Sequence, residues 1–191
     1  MFQCRIDDES ELRIIEPHHA QELNKLITDN FEHLREWSRW LTNNDRPIEK
    51  TREWIAQNLE HFGAGEGYDV GIWHRGKMVG QIGYNHFDPQ DQKTEIGYWI
   101  AADAQGKGLV TRSCIALVDN AFTNLKLNRI ELHCGTENLK SRRIAERLGF
   151  KEEGVERQAE WLHDRFIDLV VYSMLKTEWN AVDKALASNI A

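Results

Sequence analysis

The chain has 191 residues, 41% of them hydrophobic and 29% charged, the size and composition of one ordinary folded domain. Its 24 Lys and Arg against 31 Asp and Glu leave a formal charge of −7, the opposite of the basic surface that phosphate backbones select, so direct nucleic-acid binding is not expected. No apolar run is long enough to cross a bilayer, and "MFQCRIDDESELRI" lacks a basic segment followed by an apolar one, so a cytoplasmic protein with no membrane association is expected.

In chain order, "CRIDDESELRII" reads as one or two short strands joined by an acidic turn. "EPHHAQELNKLITDNFEHLREWSRWL" carries Leu23, Leu26, Ile27, Phe31 and Leu34 at helical intervals, and Glu16-Pro17 suits a helix entry. Two helices are expected there, with a break between 30 and 33. "NNDRP" is a loop, "IEKTREWIAQNLEHF" a further helix, and "GAGEG" its flexible exit. From Tyr68, "YDVGIWHRGKMVGQIGYNHF" reads as a hairpin centred on Arg75-Gly76-Lys77. "DPQDQK" is a turn, and "TEIGYWIA" is a strand in which Glu95, Gly97 and Trp99 alternate with Ile96, Tyr98 and Ile100. "LVTRSCIALVDNAFTNL" is a helix, "NRIELHCG" a strand, and "NLKSRRIAERLGF" a helix closed by Gly149. "KEEGVERQAEWLHDRFIDLVVYSMLK" reads as two strands about a turn at His163-Asp164, followed by a terminal helix that frays in "ASNIA". With no repeat or long linker, this order predicts a single α/β (α+β) domain over residues 1–191, a mixed central sheet flanked by helices.

Cys4, Cys114 and Cys134 form no CxxC pair and are expected to be free thiols. His18-His19 and His133-Cys134 lack the spacing of a metal motif, so no metal is expected. His86 and His163 sit near turns, where exposure is the default.

The stretch "DAQGKGLVT" places Gly106 and Gly108 just before a helix. Glycines there let a phosphate approach the backbone, and the open N–H groups of the helix start carry the positive end of its dipole. Lys107 or Arg112 would add charge. The spacing matches neither a Walker loop nor a complete GxGxxG fingerprint, so alone it reads equally as a helix-capping turn.

Its neighbours change that reading. "QGKGLVT" resembles the pyrophosphate loop, Q/R-x-x-G-x-G/A, of the GCN5-related N-acetyltransferase (GNAT) superfamily. Gln105 and Gly108 fill the first two places. Val110 stands where Gly or Ala is usual, and its branched side chain is expected to crowd the phosphate. "EIGYWI" and "ENLKSRRIAERLGF", with Asn138, Ser141, Ala145 and Leu148-Gly149-Phe150, also resemble this superfamily, so the motifs span about residues 68–175 in order. "KTEIGYWI" and "RQAEWLHDRFIDLVVYS" resemble its Rim-type branch, which includes an acetyltransferase that modifies the N-terminus of the ribosomal stalk protein.

The resemblance implies a GNAT-like fold, acetyl-CoA as cosubstrate, and direct acetyl transfer to a protein N-terminal α-amine, with ribosomal proteins as candidate acceptors and a homodimer as the assembly. It places Trp99, Ile100 and Ala101 along pantetheine, with a backbone N–H there donating to the oxyanion. It puts Gln105, Gly106, Lys107, Gly108, Leu109, Val110 and Thr111 around the pyrophosphate. Asn138 orients the pantetheine arm or the helix entry, Ser141 protonates the thiolate, and Glu160 accepts the amine's proton through water. Glu95 is a rival base or a structural ion-pair partner. Cys134 is an inert buried thiol or, in a covalent route, a nucleophile. Trp37, Trp40 and Trp54 are core residues or an aromatic wall of the acceptor cleft. An α-amine has a pKa near 8 and a lysine near 10.4, so neutralisation at pH 7 costs about 1 kcal/mol for the first and about 4.6 for the second. Two alternatives stand beside this reading: acetylation of a small amine such as a polyamine or antibiotic, and a non-catalytic acyl-CoA-binding module.

Overall fold

The computed structural model describes residues 3–43 and 46–179. Eight strands form one sheet in the order β1-β2-β3-β4-β5-β6-β8-β7. They are β1 (Gln3–Arg5), β2 (Ser10–Ile14), β3 (Tyr68–His74), β4 (Lys77–Asp88), β5 (Lys93–Ile100), β6 (Arg129–Gly135), β7 (Lys151–Leu162) and β8 (Arg165–Leu175). Every pairing is antiparallel except that of β5 with β6. The helices are α1 (Ala20–Asp29), α2 (Phe31–Arg35), α3 (Ile48–Ala64), α4 (Leu109–Thr123) and α5 (Leu139–Arg147).

Alternation along the strands, reset where a bulge in β4 separates Met78 from Gly80, divides the core in two. Ile82, Ile96 and Ile130 bury with Cys114, Leu117 and Val118 of α4 in the main cluster. Trp73 and Met78 bury instead with Leu23, Ile27, Leu34 and Ile55 of α1–α3. The helical break falls at Asn30, whose backbone leaves helical geometry (φ −109°, ψ 17°). Its side chain is used twice: Nδ2 donates to the Leu26 carbonyl at 2.9 Å, and Oδ1 accepts from Ala102 N–H at 2.9 Å. The β3–β4 turn puts Arg75 and Gly76 at positive φ (52° and 77°), the conformation a two-residue hairpin requires.

The feature that positions the site is where β5 and β6 stop pairing. Their register runs only from Lys93↔Arg129 to Glu95↔Glu131. β5 stays paired with β4 up to Gly80↔Ile100, and Ala101 N–H donates to the Val79 carbonyl at 2.8 Å. Antiparallel alternation therefore sends the N–H groups of Trp99 and Ala101 toward β4, and those of Tyr98 and Ile100 toward the gap beside β6.

The three cysteines are free. Among the described residues no helix is long and apolar enough to cross a membrane. The expected terminal helix lies mostly in residues 180–191, outside the described residues.

Candidate active site

The gap opens into a cleft of about 1540 Å³, above the range of roughly 300–1,000 Å³ that holds one small ligand. Its lining comes from both sides of the sheet, so it has room for two substrates.

One end is built for a phosphorylated group. Gly106 (φ 75°) and Gly108 (φ 71°) both take the left-handed backbone, and Gly108 is the N-cap of α4. No side chain caps α4 and its first turn holds no acid, so the N–H groups of Leu109, Val110 and Thr111 have no acceptor within the helix. Lys140, Arg143 and Arg147 of α5 line the same end, and Lys140 Nζ donates to Gln105 Oε1 at 2.8 Å. Gln105 Nε2 lies 3.0 Å from His33 Nε2, which is also 3.1 Å from the Ile100 carbonyl. The loop is thus tied to the end of β5 through α2. A glycine cradle, open amides and three cations fit a pyrophosphate.

Two expectations about this loop change. Val110 is 7% exposed, packs into the main core and leaves its N–H at the helix start, so its branched side chain need not crowd a phosphate. Arg112 is already engaged: Nε pairs with Asp7 Oδ2 at 2.8 Å, and Nη2 donates to the Lys107 carbonyl at 3.0 Å. A Cβ on Gly108 would lie 2.7 Å from Arg112 Nη1 and would sit at an unfavourable φ. Gly108→Ala is therefore expected to weaken acetyl-CoA binding by more than about tenfold. Calorimetry on the variant, with circular dichroism to verify folding, checks this; unchanged affinity would remove the loop assignment.

The middle of the cleft holds the hydroxyl and thiol groups. Asn138 is the N-cap of α5, its Oδ1 accepting from Ser141 N–H at 3.2 Å. Of its two expected roles, the helix-entry one is what the geometry displays. Ser141 Oγ lies 2.9 Å from the Tyr98 hydroxyl, which reaches it from β5. Burial raises the Tyr98 phenol far above its ordinary value, so this hydroxyl keeps its proton at neutral pH. Cys134 is buried at the end of β6 beside Ser141, and burial raises its thiol as well. A neutral thiol is a poor nucleophile. Of Trp99, Ile100 and Ala101, only Ile100 turns its N–H into the gap.

The far end is lined with carboxylates. Glu95 and Glu160 both face it, and Glu95 feels the charge of Glu131 and Glu160. Burial above all, then that repulsion, raises the Glu95 pKa, while His133 opposes the rise and Asn85 hydrogen-bonds the side chain. Glu160 follows an irregularity in β7. The register with β8 shifts between Glu156 and Glu160, Gln158 has φ 52°, and Gln158 N–H donates to Asp168 Oδ1 at 2.8 Å. Such bulges re-aim side chains beside functional sites. Trp37, Trp40 and Trp54 all line the cleft. Trp37 covers Gly135, where a Cβ would meet its ring at 2.7 Å, and Trp40 is 44% exposed under the Arg46 guanidinium. His163 is half-buried rather than exposed, with Nε2 2.9 Å from the Arg35 carbonyl, so it ties the β7–β8 turn to α2.

Asp69, on the floor of this end, was not anticipated. Its carboxyl lies over Gly83, and burial raises its pKa to about 6. An acid whose folded pKa exceeds its unfolded value of about 3.9 destabilises the fold as pH rises through that interval, and the loss is complete above pH 6. Asp69→Asn is expected to stabilise the protein by on the order of 2–3 kcal/mol at pH 8 and not at pH 3.5. Melting curves at the two pH values check this; equal shifts at both would contradict it. Lys140, Arg143 and Arg147 were also missed, although their spacing of three and four residues marks one helix face. Glu16, His18 and His19 gather their ligand atoms within 4.8 Å, but they form the entry of a 3-10 turn outside the cleft.

Comparison with known proteins agrees with this geometry. The acetyltransferase (GNAT) domain model matches residues 11–151, so the family's pattern reaches back into β2 and covers α1–α3. YdaF of Bacillus subtilis, whose name assigns it provisionally as a ribosomal N-acetyltransferase, is 36% identical over 94% of this chain and 98% of its own. The structure of a microcin self-immunity acetyltransferase, MccE, in complex with acetyl-CoA and AMP, superposes with a TM-score of 0.83 at 28% identity, covering 89% of this chain and 94% of that one. RimL, a ribosomal alpha-N-protein acetyltransferase, in complex with coenzyme A, superposes with a TM-score of 0.87 at 25% identity, covering 91% and 97%. An open-amide loop and a split strand pair, at the places where the family model matches, make this chain a member of the GNAT family of acetyl-CoA-dependent N-acetyltransferases.

Proposed function

We propose that the chain transfers acetyl from acetyl-CoA to the α-amino group of a protein N-terminus, with a ribosomal protein as the first candidate acceptor. The observation that carries this reading is the convergence of Ser141 and Glu160 on one cleft that is cationic at the loop end and carboxylate-lined at the other. Acetyl-CoA supplies an activated thioester. Leu109, Val110 and Thr111 N–H groups hold its pyrophosphate, and Ile100 N–H donates to the acyl oxygen. Glu160 takes a proton from the acceptor amine through water, and Ser141 Oγ gives its proton to the departing sulfur. Attack of the neutral nitrogen forms the C–N bond, and the C–S bond breaks to release coenzyme A as its thiol. A proton from solvent, matching the one Glu160 passes to water, restores the Ser141 hydroxyl while Tyr98 keeps its hydrogen bond to Oγ. An α-amine needs little help to become neutral, which a carboxylate base can supply. The names of YdaF and RimL support a ribosomal acceptor.

The described residues and the rest of the chain act, in this reading, as one cytoplasmic domain. A homodimer is part of the proposal, supported by the exposed Trp161–Phe166 pair, whose rings stack edge-to-face at 4.8 Å on the β7–β8 hairpin; light scattering showing a monomer would remove it. MccE, bound to acetyl-CoA and AMP, favours a second reading in which a small amine is the acceptor. Incubation with acetyl-CoA and a bacterial extract, followed by mass spectrometry, decides between them. Newly acetylated protein N-termini are expected. Acetylated small amines alone would favour the second reading, and no turnover would favour a binding module.

A further inference from the structure

We infer that Asp69 and Gln81 form a subsite that grips the first peptide unit of a polypeptide acceptor, a deepening that rests on the N-terminal reading above.

Gln81 is 7% exposed and lies on the cleft floor. Its Oε1 accepts from Trp99 Nε1 at 2.7 Å. An indole N–H can only donate, so this bond fixes which way the amide points. Gln81 Nε2 is left buried and without an acceptor among the described residues. An orphan donor in a cavity costs free energy unless a ligand satisfies it.

Asp69 supplies the complementary group. Its backbone is held by Asn58: Asp69 N–H donates to Asn58 Oδ1 at 2.7 Å, and Asn58 Nδ2 donates to the Asp69 carbonyl at 2.9 Å. Its side chain has no hydrogen-bond or ion-pair partner among the described residues. Asp69 pairs with Gly83 across the β3–β4 ladder, and Gly83 is two residues from Gln81 on the same face. The carboxyl occupies the place a Gly83 side chain would take. Across the next ladder Gly83 meets Gly97, and the Asn85 amide lies over Gly97, its Oδ1 2.9 Å from where a Cβ there would stand.

The floor therefore presents one donor lacking an acceptor and one acceptor lacking a donor. A simple alkylamine has one nitrogen, whose lone pair is committed to the attack, so it offers Gln81 Nε2 no acceptor. A peptide unit carries one C=O and one N–H and satisfies both. Gln81 Nε2 donates to the carbonyl, and the amide N–H donates to the Asp69 carboxylate. The pair reads the main chain of the acceptor rather than its side chains.

The test uses the full-length protein, a short peptide with a free N-terminus, the same peptide with an ester in place of its first amide, and a simple alkylamine. For the wild type, the ester is expected to lose about tenfold in kcat/KM relative to the amide, through KM. Asp69→Ala is expected to bring that ratio within twofold. Gln81→Glu keeps an oxygen toward Trp99 but removes the free donor. It should lower kcat/KM for the amide peptide by at least about tenfold and leave the alkylamine less affected. Calorimetry with acetyl-CoA, expected within twofold of wild type, verifies that each variant is folded. Peptides acetylated with no amide–ester difference, or with a difference that survives Asp69→Ala, would overturn the subsite while leaving the N-terminal reading intact. Acetylation of the alkylamine but of no peptide would overturn both.

Discussion

Replacing Ser141 by alanine is expected to lower kcat on the order of 100-fold while leaving acetyl-CoA affinity nearly unchanged. The reason is positional. Asn138 caps α5 and fixes the backbone at Ser141, while the Tyr98 hydroxyl fixes Oγ from the other side at 2.9 Å. A hydroxyl held from two directions loses the rotational freedom that would otherwise scatter its proton. Tyr98→Phe removes one of the two constraints without removing the proton, so its loss should be smaller, about three- to tenfold. Steady-state kinetics paired with calorimetry separates these effects. A Ser141→Ala enzyme within twofold of wild-type kcat would reduce this serine to a helix-start residue. Equal losses in the two variants would shift the proton-donating role toward the tyrosine.

Glu160→Gln is expected to slow transfer on the order of 100-fold at pH 7, with the defect shrinking toward pH 9. An α-amine with a pKa near 8 is mostly protonated at pH 7 and needs a base, whereas at pH 9 it is already neutral. Glu95 modulates this. It lies near enough for its charge and that of Glu160 to repel, and burial already raises its own pKa. Glu95→Gln removes a buried acid from beside the base without removing the base, so its rate at pH 7 should stay within about threefold of wild type. Profiles of the wild type and both variants, with acetyl-CoA saturating, read these differences. A Glu160→Gln rate equal to wild type at pH 7 would take this residue out of the reaction. A pH-independent defect would recast it as a residue that only shapes the cleft.

Much of the scaffold was legible in the residues because it depends on local rules. Glycine spacing before an apolar helix marked the loop, period-two alternation marked β5, and Arg75-Gly76 marked the hairpin turn. The break at Asn30 was legible for the same reason. What could not be read depends on contacts between distant segments. Arg112 looked available for a phosphate until β1–β2 brought Asp7 within 2.8 Å. Val110 looked obstructive because the helix phase that buries its side chain depends on the main core. His33 lies 67 residues from Ile100 and 72 from Gln105, and no local pattern links them. Asp69 and Gln81 did leave a trace: each is a polar residue with apolar neighbours in its strand, "YDV" and "VGQIG", a pattern that calls for a partner or a ligand. The split of β5 from β6 left none, since it is set by where strand pairing stops.

The most direct measurement compares two peptides under saturating acetyl-CoA at pH 7. One has a free N-terminus and no lysine; the other has a blocked N-terminus and one internal lysine. The free N-terminus should be acetylated at least about tenfold faster, because its α-amine is far easier to neutralise. Equal rates, or faster reaction at the blocked lysine peptide, would contradict α-amine transfer to a protein N-terminus.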